Sequence, residues 1–413
     1  MKLLKKVAKL SKEEKYLLTC SYGPDSMALF HYLLINGYHF EVAHVNYHIL
    51  EQADDDEKGI RDFASKYNIK VHVLETHMPE GVNEEIWARE IRYEYFVKLA
   101  KELKIKYVLV AHNEGDYIET YLLQKNRGGI YLKYGLEKET KREDIVIYRP
   151  LLNITKKELE NYCLKNNIPY SIDPSNFDTK FQRNKIRHDI KDFNKEEINK
   201  IKLEIKEKNL QNLTILRKYK SLGLPNKINT LSPLFSEIKL EEFHLLLIYL
   251  IKKAGVFCPL SEGRVRNFLE IIKVKLANYR EPLTNEYALY FEYGVVSIKK
   301  LTKPYSIKVS STNDLNHLFS INVNSKDFSI IKNEFPIFIK PAIEGVKYQK
   351  NDSTYKVNRE FIAWKMPLSI RNAWPGVFNN VGTLLYVPRY QKRAKKGGLL
   401  IFDLNELIRY CQN

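Results

Sequence analysis

The sequence predicts an α/β protein whose N-terminal domain, residues 1–195, is built on a doubly wound parallel sheet. Between residues 15 and 111, short apolar runs alternate with longer segments whose apolar residues recur at helical spacing. Short connections between them are typical of repeated βα units, with helices on both faces of the sheet. Further along the chain we expect a mainly helical domain over 196–305 and a small α+β domain over 306–413.

Each predicted element follows from its pattern of apolar residues. The predicted strands of the first domain are 16–20, 40–45, 69–74 and 106–111. The first predicted helix there begins at Met27, and three more are predicted over 54–67, 83–102 and 155–167. In the second domain we expect helices over 195–220, 240–253 and 261–275, and a pair of strands within 287–299.

The loop between the first strand and the first helix is the centre of the predicted site. Its residues are Ser21, Tyr22, Gly23, Pro24, Asp25 and Ser26. The backbone N–H groups of such a loop and of the first helical turn favour an anion, as does the helix dipole. Gly23 is expected to adopt a backbone geometry that side chains disfavour, and Pro24 to begin the helix. The loop is not a Walker A sequence, and an ordinary capped turn fits the same residues.

Polar residues that follow the other strands are the next candidates, because ligands bind at the carboxyl ends of parallel strands. His44 ends the second strand, and His112 follows the fourth. Asp116 and Glu119 share one face of the following helix at i, i+3. Each has a structural alternative: the histidines would also fit hydrogen-bonded strand ends, and the carboxylates would also fit a helix-dipole role.

Basic side chains suggest contacts with phosphate. The formal net charge is +17 and the pI about 9.3, which favours a polyanionic partner, nucleic acid first and an anionic membrane second. Codon bias in an AT-rich genome is the alternative, since Lys, Asn, Ile and Tyr are all abundant. Single basic residues would also fit solvated surface charges. The candidate phosphate or RNA contacts are Arg89, Arg92, Arg183, Arg187, Lys365, Arg371, Lys392 and Arg393.

The cysteines and the hydropathy of the chain argue against several classes of protein. The four cysteines are scattered without a C-x-x-C pair, which argues against structural zinc, an iron–sulfur site and a disulfide scaffold. No signal peptide is evident, and no apolar run approaches the ~20 residues that span a bilayer. We therefore expect a soluble, cytoplasmic protein that does not associate with membranes.

Taken together, the motifs resemble a known family. S-x-G-x-D-S after the first strand resembles the pyrophosphate loop of the N-type ATP pyrophosphatases, which have the adenine nucleotide alpha-hydrolase-like fold. The later blocks are similar, in the same order, to the tRNA(Ile)-lysidine synthetase family. They are H-V-N, A-R-E-I-R-Y, A-H-N-x-x-D-x-x-E-T, R-G-G, R-P-L-L, I-D-P-S-N-x-D and R-N-x-I-R.

The resemblance implies a reaction and roles for the candidates. ATP, L-lysine and the anticodon cytidine of an isoleucine tRNA with a CAU anticodon would give lysidine, AMP and diphosphate. The loop and His44 would bind ATP, with Asp25 next to Mg²⁺. Asp116 and Glu119 would contact lysine, with His112 as the alternative proton acceptor. Arg89 or Arg92 would neutralise phosphate.

Two points stay open at the level of sequence. The family pattern has Gly where this chain has Tyr22, so either that side chain turns away from the phosphates or the loop geometry differs slightly. A tRNA thiolation enzyme of the same loop family is the alternative function, although its commonest versions carry paired cysteines. A small-molecule synthetase would not need the long basic tail, and an RNA-binding protein without catalytic activity would not need the ordered strand-end motifs.

Overall fold

A computed structural model describes residues 10–49, 51–172, 182–274, 278–314, 319–342, 346–350, 353–390 and 400–402. The chain divides into two compact units, Met1–Asn212 and Leu213–Asn413. The predicted boundary between a middle and a C-terminal domain near residue 305 therefore lies within the second unit and stays a prediction. No helix in the described ranges is both long enough and apolar enough to cross a membrane.

The first unit alternates strands and helices in the predicted order. Its strands are β1 (Lys15–Thr19), β2 (His39–Asn46), β3 (Val71–Glu75), β4 (Tyr107–Leu109), β5 (Glu139–Arg142) and β6 (Ile145–Tyr148). Its helices are α1 (Pro24–Ile35), α2 (Ala53–Ser65), α3 (Glu84–Glu102), α4 (Glu114–Arg127), α5 (Lys156–Lys165) and α6 (Gln182–Asp192). Helix α7 (Lys195–Lys218) runs from the first unit into the second.

The central sheet has the strand order β3-β2-β1-β4-β6-β5, and the first five of these strands are parallel. The chain winds outwards from β1 to β3 and then returns to the other side of β1 with β4. The loops after β1 and β4 therefore diverge at a topological switch point, where open α/β sheets bind ligands.

Burial explains the doubly wound arrangement. Leu17 and Leu18 of β1 are both fully buried, and they belong to cores on opposite faces of the sheet. Phe30 of α1 and Phe63 of α2 pack on the Leu18 side, whereas Phe96 of α3 packs on the Leu17 side. Adjacent residues of a strand point to opposite faces, so a strand apolar at both positions needs a helical layer on each side. The predicted fold class is confirmed.

The far edge of the sheet differs from the prediction. Strand β5 pairs antiparallel with β6 to form a hairpin at this edge. The sequence pattern does not predict β5, because all four residues of E-T-K-R are polar and at least partly exposed. An edge strand tolerates such a sequence because one of its faces and its outer edge meet solvent.

The second unit begins with helices and continues with small antiparallel sheets. Its helices are α8 (Pro233–Ser236), α9 (Leu240–Lys253), α10 (Glu262–Lys273), α11 (Val357–Ala363) and α12 (Leu368–Arg371). One sheet contains β7 (Ile228–Asn229), β8 (Tyr279–Pro282), β9 (Tyr287–Glu292) and β10 (Val295–Lys300). The other strands are β11 (Ile307–Val309), β12 (Phe319–Ile321), β13 (Ile337–Pro341), β14 (Lys347–Lys350), β15 (Ser353–Lys356), β16 (Pro375–Phe378), β17 (Leu384–Tyr386) and β18 (Leu400–Phe402). The predicted strand pair is thus the centre of a four-stranded sheet.

A buried carboxylate joins two parts of this second unit. Glu292, at the end of β9, is 7% exposed. It accepts hydrogen bonds from the backbone N–H of Ser369 at 2.5 Å and from the Ser369 hydroxyl at 3.0 Å. Lys299 of β10 completes the cluster with an ion pair to Glu292 at 2.8 Å. The hairpin β9–β10 is therefore tied to α12 by charge-assisted hydrogen bonds.

We expect Glu292→Ala to lower the free energy of unfolding by about 3 kcal/mol, because the Ser369 amide loses its acceptor and Lys299 loses its charge partner, keeping only the Ser369 hydroxyl. Urea unfolding of the full chain measures this change. Glu286→Ala, at an exposed position beside the same strand, is the control and should stay within about 0.5 kcal/mol. Equal effects of the two substitutions would contradict the role given to Glu292.

Candidate active site

The loop after β1 presents its backbone towards the switch point. Pro24 is the first residue of α1, as predicted. The left-handed residue is Tyr22, with φ 60°, whereas Gly23 is extended, with φ −71° and ψ 162°. The prediction that Gly23 adopts a backbone geometry disfavoured by side chains was therefore wrong. A Cβ added at Gly23 would meet only the Ser21 hydroxyl at 3.6 Å, so Gly23 leaves an open face on which an anion can approach the backbone.

Ser26 shapes the loop from the inside. It is buried, its hydroxyl donates to the Gly23 carbonyl at 3.0 Å, and it accepts from the Ser21 backbone N–H at 3.3 Å. Ser21 itself is exposed. The two serines therefore differ: Ser26 holds the turn, and Ser21 is the hydroxyl available to a ligand.

The Tyr22 side chain rests on α2. A Cβ added at Gly59 of α2 would lie 2.3 Å from Cζ of the Tyr22 ring, far inside van der Waals contact. The ring therefore turns away from the loop backbone and packs where Gly59 leaves room. Positive φ disfavours a tyrosine by about 1 kcal/mol or more, and this packing helps to offset that cost.

This contact predicts a coupling between Tyr22 and Gly59. In a Tyr22→Gly background, Gly59→Ala should stabilise the protein by about 1 kcal/mol, because alanine is the better helix former. In the native background the same change should give no gain or a loss, since the new Cβ meets the ring. Chemical denaturation of the four proteins in this cycle measures the coupling, and additivity within about 0.3 kcal/mol would contradict the contact.

His44 anchors the start of the loop from β2. It is 6% exposed, and its Nδ1 lies 2.8 Å from the carbonyl oxygen of Cys20. A carbonyl only accepts, so Nδ1 carries the proton. Burial lowers the pKa of His44, which keeps the ring neutral. The predicted ATP-binding histidine thus holds the strand end next to the loop.

Asp25 connects the loop to the β4–α4 junction. Asn113 donates from Nδ2 to Oδ2 of Asp25 at 2.9 Å. Asn113 also caps α4, since its side chain accepts from backbone N–H groups of the first turn, and Asp116 accepts from the Asn113 N–H at 2.9 Å. The other oxygen of Asp25, Oδ1, is buried and makes no hydrogen bond within the described structure. Burial, followed by the charge of Asp116, raises the pKa of Asp25 to about 7.

Asp25 is therefore expected to destabilise the unliganded protein when it is ionised. A carboxyl whose pKa is higher in the folded state favours folding at low pH, and this contribution is lost as pH rises towards about 7. Asp25→Asn should raise the free energy of unfolding at pH 8 by about 2 kcal/mol, and the gain should shrink towards pH 5. Denaturation at both pH values measures the difference. Asp55→Asn, an exposed position on α2, is the control, and an equal pH response would contradict the burial effect.

Arg187 of α6 brings the two carboxylates of α4 together. Its Nε lies 2.5 Å from Oε2 of Glu119, and its Nη2 lies 3.3 Å from Oδ1 of Asp116. Glu119 is fully buried, whereas Asp116 is partly exposed. The two carboxylates, at i, i+3, thus share the Arg187 guanidinium. The charge of Asp116 also acts on Asp25, where it contributes to the raised pKa.

His112 lies between β4 and α4 and contacts a buried arginine. Arg149 follows β6 and is 3% exposed. Its Nε donates to Nδ1 of His112 at 3.1 Å, and its Nη1 donates to the Glu137 carbonyl at 2.8 Å. Burial alone would raise the pKa of Tyr93, but the nearby charges of Arg149 and Arg89 outweigh it, so this pKa is lowered.

Comparison with known proteins identifies the family. The profile of the PP-loop domain family matches residues 1–193. The tRNA(Ile)-lysidine synthase of Mycoplasma mycoides subsp. mycoides is 31% identical over 386 residues, covering 90% of this chain and 95% of that protein. The chain belongs to the tRNA(Ile)-lysidine synthase family. The enzyme of that name from Mesoplasma florum is 31% identical, covering 87% of this chain and 88% of that protein. The tRNA(Ile)-lysidine synthase of Malacoplasma penetrans is 39% identical, covering 50% of this chain and 71% of that protein.

The basic residues proposed for phosphate or RNA occupy varied positions. In this member of the lysidine synthase family, Arg89 stacks over Tyr93 with Cζ 5.0 Å from the ring centroid, and Arg92 is exposed on α3. Lys365 is exposed, and Arg371 donates from Nε and Nη2 to the Met366 carbonyl. Their contacts with RNA stay predictions. The side chain of Arg183, and Lys392 and Arg393 entirely, lie outside the described residues.

Two residues at the site were missing from the sequence prediction. Asn113, which links Asp25 to α4, was named only as part of its motif, although Asn directly before a helix is a recognisable cap. Arg149 was likewise named only within its motif, R-P-L-L. It follows β6, a strand that was not predicted, so its place at the carboxyl end of a parallel strand was not recognised.

Proposed function

We propose that the protein joins L-lysine to carbon 2 of the wobble cytidine in an isoleucine tRNA with a CAU anticodon, consuming ATP and releasing AMP and diphosphate. The product, lysidine, changes codon reading from AUG to AUA. Family membership supports the proposal. The observation that carries it in the structure is the chain of contacts Asp25–Asn113–Asp116–Arg187–Glu119 beside the loop after β1.

The loop suits the diphosphate of ATP. The first turn of α1 has N–H groups without intrahelical partners. Because Gly23 has no side chain, a phosphate group can approach these N–H groups. Fixed N–H donors at a helix N-terminus stabilise the charge that grows on a leaving diphosphate. Attack of the cytidine O2 on the α-phosphorus forms an O–P bond and breaks the bond to diphosphate. The activated ring then has AMP as its leaving group.

Asp25 is the residue that would hold Mg²⁺. Its Oδ1 is buried, has no hydrogen-bond partner among the residues that the structure describes, and is close to the charge of Asp116, so the site favours a cation. Among the described residues no group of three or more His, Cys, Asp or Glu is arranged to hold a metal. This fits Mg²⁺, which commonly uses one or two carboxylates together with substrate phosphates. When bound, the ion would neutralise phosphate charge.

The α4 carboxylates suit the side chain of lysine. A lysine ammonium needs carboxylate partners and must lose a proton before its amine attacks carbon 2. Arg187 binds Glu119 closely and Asp116 at a longer distance, so Asp116 is the carboxylate more open to a second cation. Glu119 then serves to hold Arg187, whose guanidinium can also contact phosphate.

Release of diphosphate from ATP tests this function against its alternatives. We expect release to require both L-lysine and an isoleucine tRNA with a CAU anticodon. Release that requires tRNA and a sulfur donor instead of lysine would support thiolation. Release without tRNA would support a small-molecule synthetase, and RNA binding without ATP turnover would leave a binding protein.

Asp116→Asn tests the lysine site more narrowly. We expect the KM for lysine to rise at least about tenfold while the KM for ATP changes little, because a charged partner of the ammonium is lost. Steady-state kinetics at saturating tRNA measure both constants. Glu114→Gln is the matched control, since Glu114 lies on the same helical turn but pairs with Lys202. A lysine KM that is unchanged in Asp116→Asn would contradict the assignment.

A further inference from the structure

The contact between Arg149 and His112 fixes the position of a proton. An arginine side chain carries five N–H donors and no acceptor, and it stays protonated in proteins. Its Nε lies 3.1 Å from Nδ1 of His112, so Nδ1 must offer a lone pair. A histidine with a lone pair on Nδ1 carries its proton on Nε2. His112 is therefore a neutral ring and a donor at Nε2.

The surroundings of Arg149 make this arrangement rigid. Its Nη1 is held by the Glu137 carbonyl at 2.8 Å and by the Thr140 hydroxyl at 3.2 Å. These acceptors lie on the segment that leads into β5 and on β5 itself, so the edge hairpin orients the guanidinium. A second positive charge on His112 would face this buried cation at hydrogen-bond distance, which electrostatics opposes.

His44 shows the opposite tautomer at the neighbouring strand end. Its Nδ1 donates to the Cys20 carbonyl. His44 is therefore protonated on Nδ1, whereas His112 is protonated on Nε2. Two histidines beside one site are thus set in different states by their backbone and side-chain partners. This difference gives each ring a distinct spectroscopic signature.

We propose that Arg149 is a positioning residue that holds His112 as a neutral Nε2–H donor, and that His112 donates this hydrogen bond to a substrate oxygen at the switch point. This rests on the proposed function. His112 directly precedes Asn113, which contacts Asp25 of the loop proposed to hold the diphosphate. We therefore assign its Nε2–H to the phosphate oxygens on which negative charge develops. The proton of the lysine ammonium then goes to a carboxylate, with Asp116 the more open one, and His112 is not its acceptor.

Nitrogen-15 spectroscopy tests the protonation state directly. In the full-length protein labelled at histidine, we expect the His112 signals of a neutral ring protonated on Nε2, assigned by their loss in His112→Gln. In Arg149→Gln the pattern should become a mixture of tautomers, whereas Arg142→Gln should leave it unchanged. Arg142 is the matched control because it stacks on the Tyr93 ring at 4.4 Å and is exposed. A doubly protonated ring, or one protonated on Nδ1, in the native protein would overturn the proposal.

A pair of substitutions tests the donor role. The amide nitrogen of His112→Gln can occupy the position of Nε2 and donate, whereas the shorter His112→Asn reaches only the position of Nδ1. We expect kcat for lysidine formation to stay within about tenfold in the Gln variant and to fall at least about 100-fold in the Asn variant. Thermal melts establish that both variants fold. Equal losses would overturn the donor role.

The two proposals fail in different ways. If the native protein makes no lysidine with any tRNA, the proposed function fails. The nitrogen-15 result does not depend on turnover, and a neutral, Nε2-protonated His112 would still establish what Arg149 does to this ring. If lysidine is made but the ring has the other tautomer, only the inference fails.

Discussion

The hydrogen bond between Asn113 and Asp25 is the contact on which the site depends. It joins the loop after β1 to the helix after β4, across the switch point of the sheet. The same Asn113 side chain caps α4, so the position of Asp25 is coupled to the start of the helix that carries Asp116 and Glu119. One side chain thereby sets the relation between the predicted diphosphate loop and the predicted lysine carboxylates.

The site gathers negative charge and balances only part of it. Arg187 pairs with Asp116 and Glu119, while Asp25 keeps one buried oxygen without a hydrogen bond in the described structure. Burial of an ionised carboxylate costs stability unless a cation is supplied. A carboxylate in this setting gains from a bound cation, as the proposed binding of ATP with Mg²⁺ would require.

The fold was predictable where burial dictates the sequence. The strands β1, β2 and β4 carry buried apolar residues on both faces because both faces are covered, and α1 begins at Pro24 as its sequence indicates. The edge strand β5 was missed because solvent relaxes that demand. Arg149 follows β6 and is held by Glu137 and by Thr140 of β5, so without this hairpin the sequence does not indicate that Arg149 is the partner of His112.

Pairing between distant side chains could not be predicted from spacing. The i, i+3 relation of Asp116 and Glu119 indicates a shared face, but not that Arg187, from α6, binds both. Likewise, Tyr22 at a position of positive φ is understandable only once Gly59 is seen to leave room for its ring. These contacts depend on how elements far apart in the chain pack together, which local pattern does not encode.

Transfer of isotope-labelled L-lysine to RNA tests directly whether the protein joins lysine to the wobble cytidine of an isoleucine tRNA. The full-length protein, ATP and Mg²⁺ are incubated with isoleucine tRNA and, separately, with methionine tRNA that has the same CAU anticodon. We expect the label to become attached to the wobble cytidine of isoleucine tRNA with release of AMP, and methionine tRNA to stay unlabelled. Release of AMP without labelled lysine in the isoleucine tRNA would contradict the proposed reaction.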